Sequence, residues 1–350
     1  MIQILVSLLP VFIFLIILIY LDSYKLVKIQ TVLFVIIIGC AAALLSYGIN
    51  KLLLSSFDLN IKTYARYIAP IIEESLKASF LIYMISKKKI GFVVDAVIYG
   101  FAIGAGFAFV ENIYYLSVVN TSSIFLWIIR GFGTAVMHGG TTAIFAILTK
   151  NFFDRSDKIK ILNFLPGLIS AIIYHSLILI FIPGLFSAIV IHSIFNQLLL
   201  PAIAVTLLQL ILLPLLIVFV FYRNEIALRN WMDTGLDSEV KLLDQIDNGT
   251  FSETHAGQYV LSLQDKFAGT ILADMLCSLK IHLELSIKAK GVLLMRKAGL
   301  PVIIEDDVKD KLNELKYLDK SIGPTGKLAI DPILKMSTKD LWQLYMLGLN

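Results

Sequence analysis

Long apolar runs alternate with short charged loops along most of this chain. A membrane-crossing helix needs about 20 apolar residues. Runs of that kind fall at 3–21, 30–54, 66–85, 92–119, 128–149, 162–182, 184–200 and 202–222. The pattern predicts an all-α protein, a polytopic membrane helix bundle of about eight hydrophobic segments. Residues 184–222 are almost uninterruptedly apolar. As one helix they would measure about 58 Å, nearly twice the hydrocarbon core, so a break is expected. Pro201 is the best place for it, and 184–200 is short enough to be re-entrant.

Beyond residue 223 the pattern changes. Charged and apolar positions mix at helical spacing, with Leu242, Leu243 and Ile246 on one short stripe. Residues 258–298 read as one long helix, and Gly323-Pro324-Thr325-Gly326 as a turn. The chain therefore divides into a membrane domain, 1–223, and a C-terminal soluble helical domain, 224–350. Charge follows the same division. Residues 1–223 carry 15 Lys/Arg against 8 Asp/Glu, whereas 224–350 carry 15 against 18.

The whole chain is 58% hydrophobic and 16% charged, with a mean hydropathy of +0.83. Soluble domains have about 25% charged residues. These values point to a multi-pass integral protein of the cell membrane, in contact with the lipid bilayer and with no nucleic-acid partner. The first basic residues, Lys25 and Lys28, follow the first apolar run, so 3–21 is expected to be an uncleaved span rather than a secretory leader. Two cysteines, Cys40 and Cys277, offer neither a disulfide framework nor a thiolate metal site. The basic loops Lys87-Lys88-Lys89 and 150–160 mark the cytoplasmic side.

Chemistry enters through the polar residues inside the apolar runs. Glu73 and Glu74 are adjacent there, followed by Lys77. A charge near the bilayer centre costs on the order of 2.5–3.5 kcal/mol on insertion scales, so an anchor has no use for such a pair. Asp95, Glu111, Asn112, His138, His175, His192 and Asn196 complete the set. Counting residues to the nearest outer boundary places Glu73, Glu74, Glu111, His138, His175 and His192 about 10–14 Å from one face. Carboxylates and neutral imidazoles are good zinc ligands, and a carboxylate off the metal can take a proton from water. Lys77 lies three and four residues beyond the two glutamates, so it shares a helix face with them. His192 and Asn196 also share a face, where the amide would orient the imidazole or donate to an oxyanion. Asp95 is expected to meet only the Lys87–Lys89 loop. Two other readings stay open at this point: a proton- or cation-coupled transporter and a non-catalytic membrane scaffold.

The order of these residues resembles the PrsW-type intramembrane proteases, relatives of the CAAX prenyl proteases and the bacteriocin-processing membrane proteases. The resemblance rests on Glu73-Glu74-Ser75-Leu76-Lys77, Phe107-Ala108-Phe109-Val110-Glu111-Asn112, Val136-Met137-His138 and a later histidine, across residues 66–200. The last motif is offered twice. Pro166-Gly167-Leu168 leads to His175, but Leu179 stands where Asn is expected; His192-Ser193-Ile194-Phe195-Asn196 has the Asn but comes one segment later. The resemblance implies a protease cutting a single-pass membrane protein, such as a membrane-bound anti-sigma factor, to start a signalling cascade. It implies Glu73, Glu74, Lys77, Asn112 and Asn196 as catalytic residues. Glu111, His138 and His175 or His192 would hold a zinc ion.

Overall fold

The computed structural model describes residues 2–57, 60–121, 123–160, 168–197, 199–302, 307–334 and 347; the side chains of 155–160, 168–179 and 234 lie outside the description. Among these residues every regular element is helical. Two compact units are distinguished, Met1–Asn224 and Glu225–Asn350.

The first unit begins with α1 (Ile2–Tyr20) and α2 (Ile29–Ser56). A short turn, α3 (Ile61–Thr63), runs through a π-helical stretch, Tyr64–Ile68, into α4 (Ala69–Ser86). After α5 (Val93–Val118), the short α6 (Ile124–Ile128) runs through a second π-helical stretch, Ile129–Ala135, into α7 (Val136–Lys160). The unit closes with α8 (Leu168–Gln197) and the first part of α9 (Ala202–Asp247).

α5 is the central helix, packed against α1, α2 and α7. Its small residues explain the closeness of these contacts. A Cβ at Gly104 would collide with the backbone carbonyl of His138, and one at Gly106 with that of Ile36. Only glycine lets the α5 backbone touch α7 on one side and α2 on the other. Asp95 secures the start of this helix: its Oδ2 accepts from the N–H groups of Gly91 at 3.0 Å and Phe92 at 3.2 Å. The carboxylate thus serves α5 itself, where the sequence pattern pointed to the neighbouring lysine loop.

Among the described residues six helices are long and apolar enough to cross a membrane. Glu73, Glu74 and Lys77 make α4 more polar than these, yet it packs among them against α2, α7 and α8. Ile16, Ile37, Leu44, Leu215 and Phe219 are exposed on the outer surface of the bundle, as a lipid-facing surface requires. The count of eight segments needs one correction. The runs 162–182 and 184–200 are not two helices, because α8 continues through Pro183. A proline inside a membrane helix is tolerated where neighbouring groups satisfy the freed carbonyl. The break expected near Pro201 falls between the end of α8 at Gln197 and the start of α9 at Ala202.

The second unit contains the last part of α9, a 3₁₀ turn (Phe251–Glu253), α10 (His255–Leu261), α11 (Gly269–Lys297) and α12 (Asp307–Leu334). Phe251, Leu279 and Leu283 form a buried core against Leu242, Leu243 and Ile246. The expected helix over 258–298 is divided at 262–268, where a run of turns separates α10 from α11. Gly323 breaks the regularity of α12 with φ +70°, a left-handed conformation that suits glycine, and Pro324 follows at once. Lys290 is fully buried, and its Nζ donates to Glu239 Oε1 at 2.6 Å.

Candidate active site

Four membrane helices bring the polar residues together near one end of the first unit. Glu73, Glu74 and Lys77 lie on α4, Glu111 on α5, His138 in the first turn of α7 and His192 on α8. Glu74 is at the centre and is buried. Its Oε1 accepts from Lys77 Nζ at 2.6 Å, from His192 Nδ1 at 2.7 Å and from Thr141 Oγ1 at 3.2 Å. Three donors on one oxygen hold this carboxylate in place.

Two neighbours set the state of His138. Its Nδ1 lies 3.2 Å from Lys77 Nζ, and its Nε2 lies 2.9 Å from Glu111 Oε2. A lysine ammonium only donates, and an ionised carboxylate only accepts. Nδ1 therefore carries the lone pair, and Nε2–H donates to Glu111. His192 Nδ1 donates to Glu74, and its Nε2 lies 3.8 Å from Glu73 Oε2. A continuous chain of contacts thus runs from Glu111 through His138, Lys77, Glu74 and His192 to Glu73.

Arg130 extends this chain. Its Nη2 lies 3.3 Å from Glu111 Oε2, its Nε donates to Asn112 Oδ1 at 2.9 Å, and its guanidinium stacks 3.7 Å from the Tyr115 ring centre. Asn112 Nδ2 donates to the Ser7 carbonyl at 2.7 Å. Asn112 therefore ties α1 to α5 and steadies Arg130, where the motif alone implied a catalytic amide. Arg130 lies in the apolar run 128–149. An arginine in an apolar run is a functional candidate by default, and that signal was present.

Asn196 also departs from expectation. It donates from Nδ2 to the Ala65 carbonyl at 2.9 Å rather than touching His192. Pro70 supplies the reason. In the π-helical register the Ala69 N–H goes to the Tyr64 carbonyl, and the next residue, Pro70, has no N–H for Ala65. Asn196 fills that gap and so joins α8 to the start of α4.

The two candidates for the last histidine are separated by α8 itself. Seventeen residues of helix span about 26 Å, and it is His192 that meets Glu74. The His175 side chain lies outside the described residues.

A second buried polar group lies at the opposite end of the bundle, so the single polar layer expected from sequence is incomplete. Asp95 and Lys150 are both buried there, and Lys150 Nζ donates to Asp154 Oδ1 at 2.6 Å. On α5 every residue from Gly100 to Ala108 between the two groups is apolar or glycine.

A family model described as "PrsW family intramembrane metalloprotease" matches residues 28–222. The chain belongs to the PrsW family. Searches of curated proteins and of solved structures gave no match. The PrsW membership makes the chain an intramembrane protease, and its six membrane-length helices make it a multi-pass integral membrane protein. Its substrates are accordingly membrane proteins in a lipid bilayer.

PrsW metalloproteases imply a metal ion, and the residues present fit one. Glu73, His138 and His192 offer ligand atoms that all lie within 4.8 Å of one another. Two histidines and a carboxylate are a hydrolytic zinc donor set, and tetrahedral ligands at about 2.1 Å from an ion stand about 3.4 Å apart. The Glu74–His192 contact adds the usual carboxylate that fixes a ligating imidazole. His138 would exchange one of its two present contacts for the metal bond.

Proposed function

We propose that this PrsW-family protease cuts a single-pass membrane protein near the outer face of the membrane, releasing a tethered regulator in a signalling cascade. The observation that carries the reading is the approach of Glu73 Oε2 to His192 Nε2, 3.8 Å apart, beside Glu74, whose Oε1 accepts from Lys77, His192 and Thr141. Glu73, His138 and His192 would hold zinc, which polarises a carbonyl and acidifies water when bound.

The remaining roles follow from the free atoms. Glu74 has no unengaged function at Oε1, so it orients His192. Lys77 holds Glu74 and the lone-pair side of His138. Glu111 uses Oε2 for His138 and Arg130. Its Oε1 is the atom we assign to take the proton from the attacking water. Glu73 and Glu111 thus exchange the roles that the sequence pattern first offered them. The helix directions support the outer location. The site lies at the ends of α4, α5, α7 and α8 remote from the basic residues Lys87-Lys88-Lys89, Lys150, Arg155, Lys158 and Lys160.

Comparative proteomics of membranes with wild-type protein and with Glu73→Gln tests the proposal. Wild type is expected to yield cleaved fragments of single-pass proteins, with cut sites near their outer membrane boundary. Identical fragments from both membranes would sink it.

A further inference from the structure

We propose that the groove between α7, α8 and α9 receives the substrate's transmembrane segment beside the bond to be cut. This rests on the protease reading above and adds the route by which the substrate reaches the site. The groove encloses about 300 Å³ within the first unit. Gly140 and Thr141 of α7 form its floor, Ile194 and Phe195 of α8 one wall, and Gln209 and Leu212 of α9 the other.

Three observations favour a peptide over a lipid chain. First, the groove is continuous with the site, because Thr141 lines it and also donates to Glu74 Oε1 at 3.2 Å. Second, its apolar walls carry one polar side chain, Gln209, that an acyl chain has no means to satisfy. Gln209 Nε2 donates to the Gly133 carbonyl at 3.1 Å, and its Oε1 has no donor among the described residues. Third, a peptide bond must leave its helix before it can be attacked. Unwound backbone at membrane depth needs protein partners or water, since lipid offers neither donor nor acceptor. An N–H of the unwound segment would find Gln209 Oε1.

The test places tryptophan at two exposed groove positions, Leu212→Trp and Ile194→Trp. Leu215→Trp on the lipid-facing surface outside the groove is the control. The probes are the membrane proteins that Glu73→Gln leaves uncut. Both groove variants are expected to cut them at least tenfold more slowly while keeping the wild-type metal content and thermal stability. Leu215→Trp should stay within twofold of wild type. Wild-type rates in both groove variants would overturn the proposal. Should either variant lose its metal or unfold, photocrosslinking decides instead. Benzoylphenylalanine in place of Leu212, in the Glu111→Gln protein, should capture the uncut substrate; capture of phospholipid alone would overturn the proposal. Full cleavage by Glu73→Gln would instead overturn the protease site, whatever the groove binds.

Discussion

Replacing Glu111 by Gln slows cleavage by about 10²–10⁴-fold, the usual contribution of a general base, and leaves the bound metal in place. Glu111 touches His138 and Arg130 through Oε2 but stands outside the Glu73, His138 and His192 set. Gln keeps the size and can still accept from His138 through its amide oxygen, so the α5–α7 contact survives. What it loses is the ability to take a proton. Glu73→Gln differs in losing both cleavage and metal. Cleavage rates and metal content of the two purified variants separate these roles. Parallel loss of metal in both would mean that Glu111 is itself a ligand.

Lys77→Met unfolds at markedly lower temperature than wild type, through a loss of about 3–5 kcal/mol. Lys77 Nζ and Glu74 Oε1 are both buried and 2.6 Å apart. Methionine keeps the apolar stem but leaves the Glu74 carboxylate short of its cation. The penalty comes from the abandoned charge more than from the lost bond. Lys77→Met combined with Glu74→Gln should therefore recover much of the stability, although not the orientation of His192. A double-mutant cycle read by thermal unfolding in detergent checks this. Additive losses would show that the two side chains are not energetically coupled.

The acidic and basic groups were legible in the sequence because they interrupt apolar runs. Glu73, Glu74, Lys77, Glu111 and His138 stand out for that reason, and all five occur in one chain of contacts with His192. The roles of the amides were not legible. Asn112 donates to the Ser7 carbonyl across the α1–α5 contact, and Asn196 fills the gap that a π-helical register and Pro70 leave at the Ala65 carbonyl. Residue spacing encodes neither. The choice of histidine was hidden by a local echo, since His175 and His192 each follow a Pro-Gly-Leu sequence. Only the continuity of α8 through Pro183 sets them about 26 Å apart along one helix. Arg130 was obscured by its place near a segment end, where a basic residue ordinarily marks the interface. The helical pattern itself was strong enough to give the architecture, although it divided α8 and joined α10 to α11.

The most direct measurement is the metal content of purified wild type, His192→Ala and His175→Ala by elemental mass spectrometry. The account predicts one ion per chain in wild type and in His175→Ala, and its loss in His192→Ala. Retention of the ion by His192→Ala, or its loss from His175→Ala, would contradict the site formed by Glu73, His138 and His192.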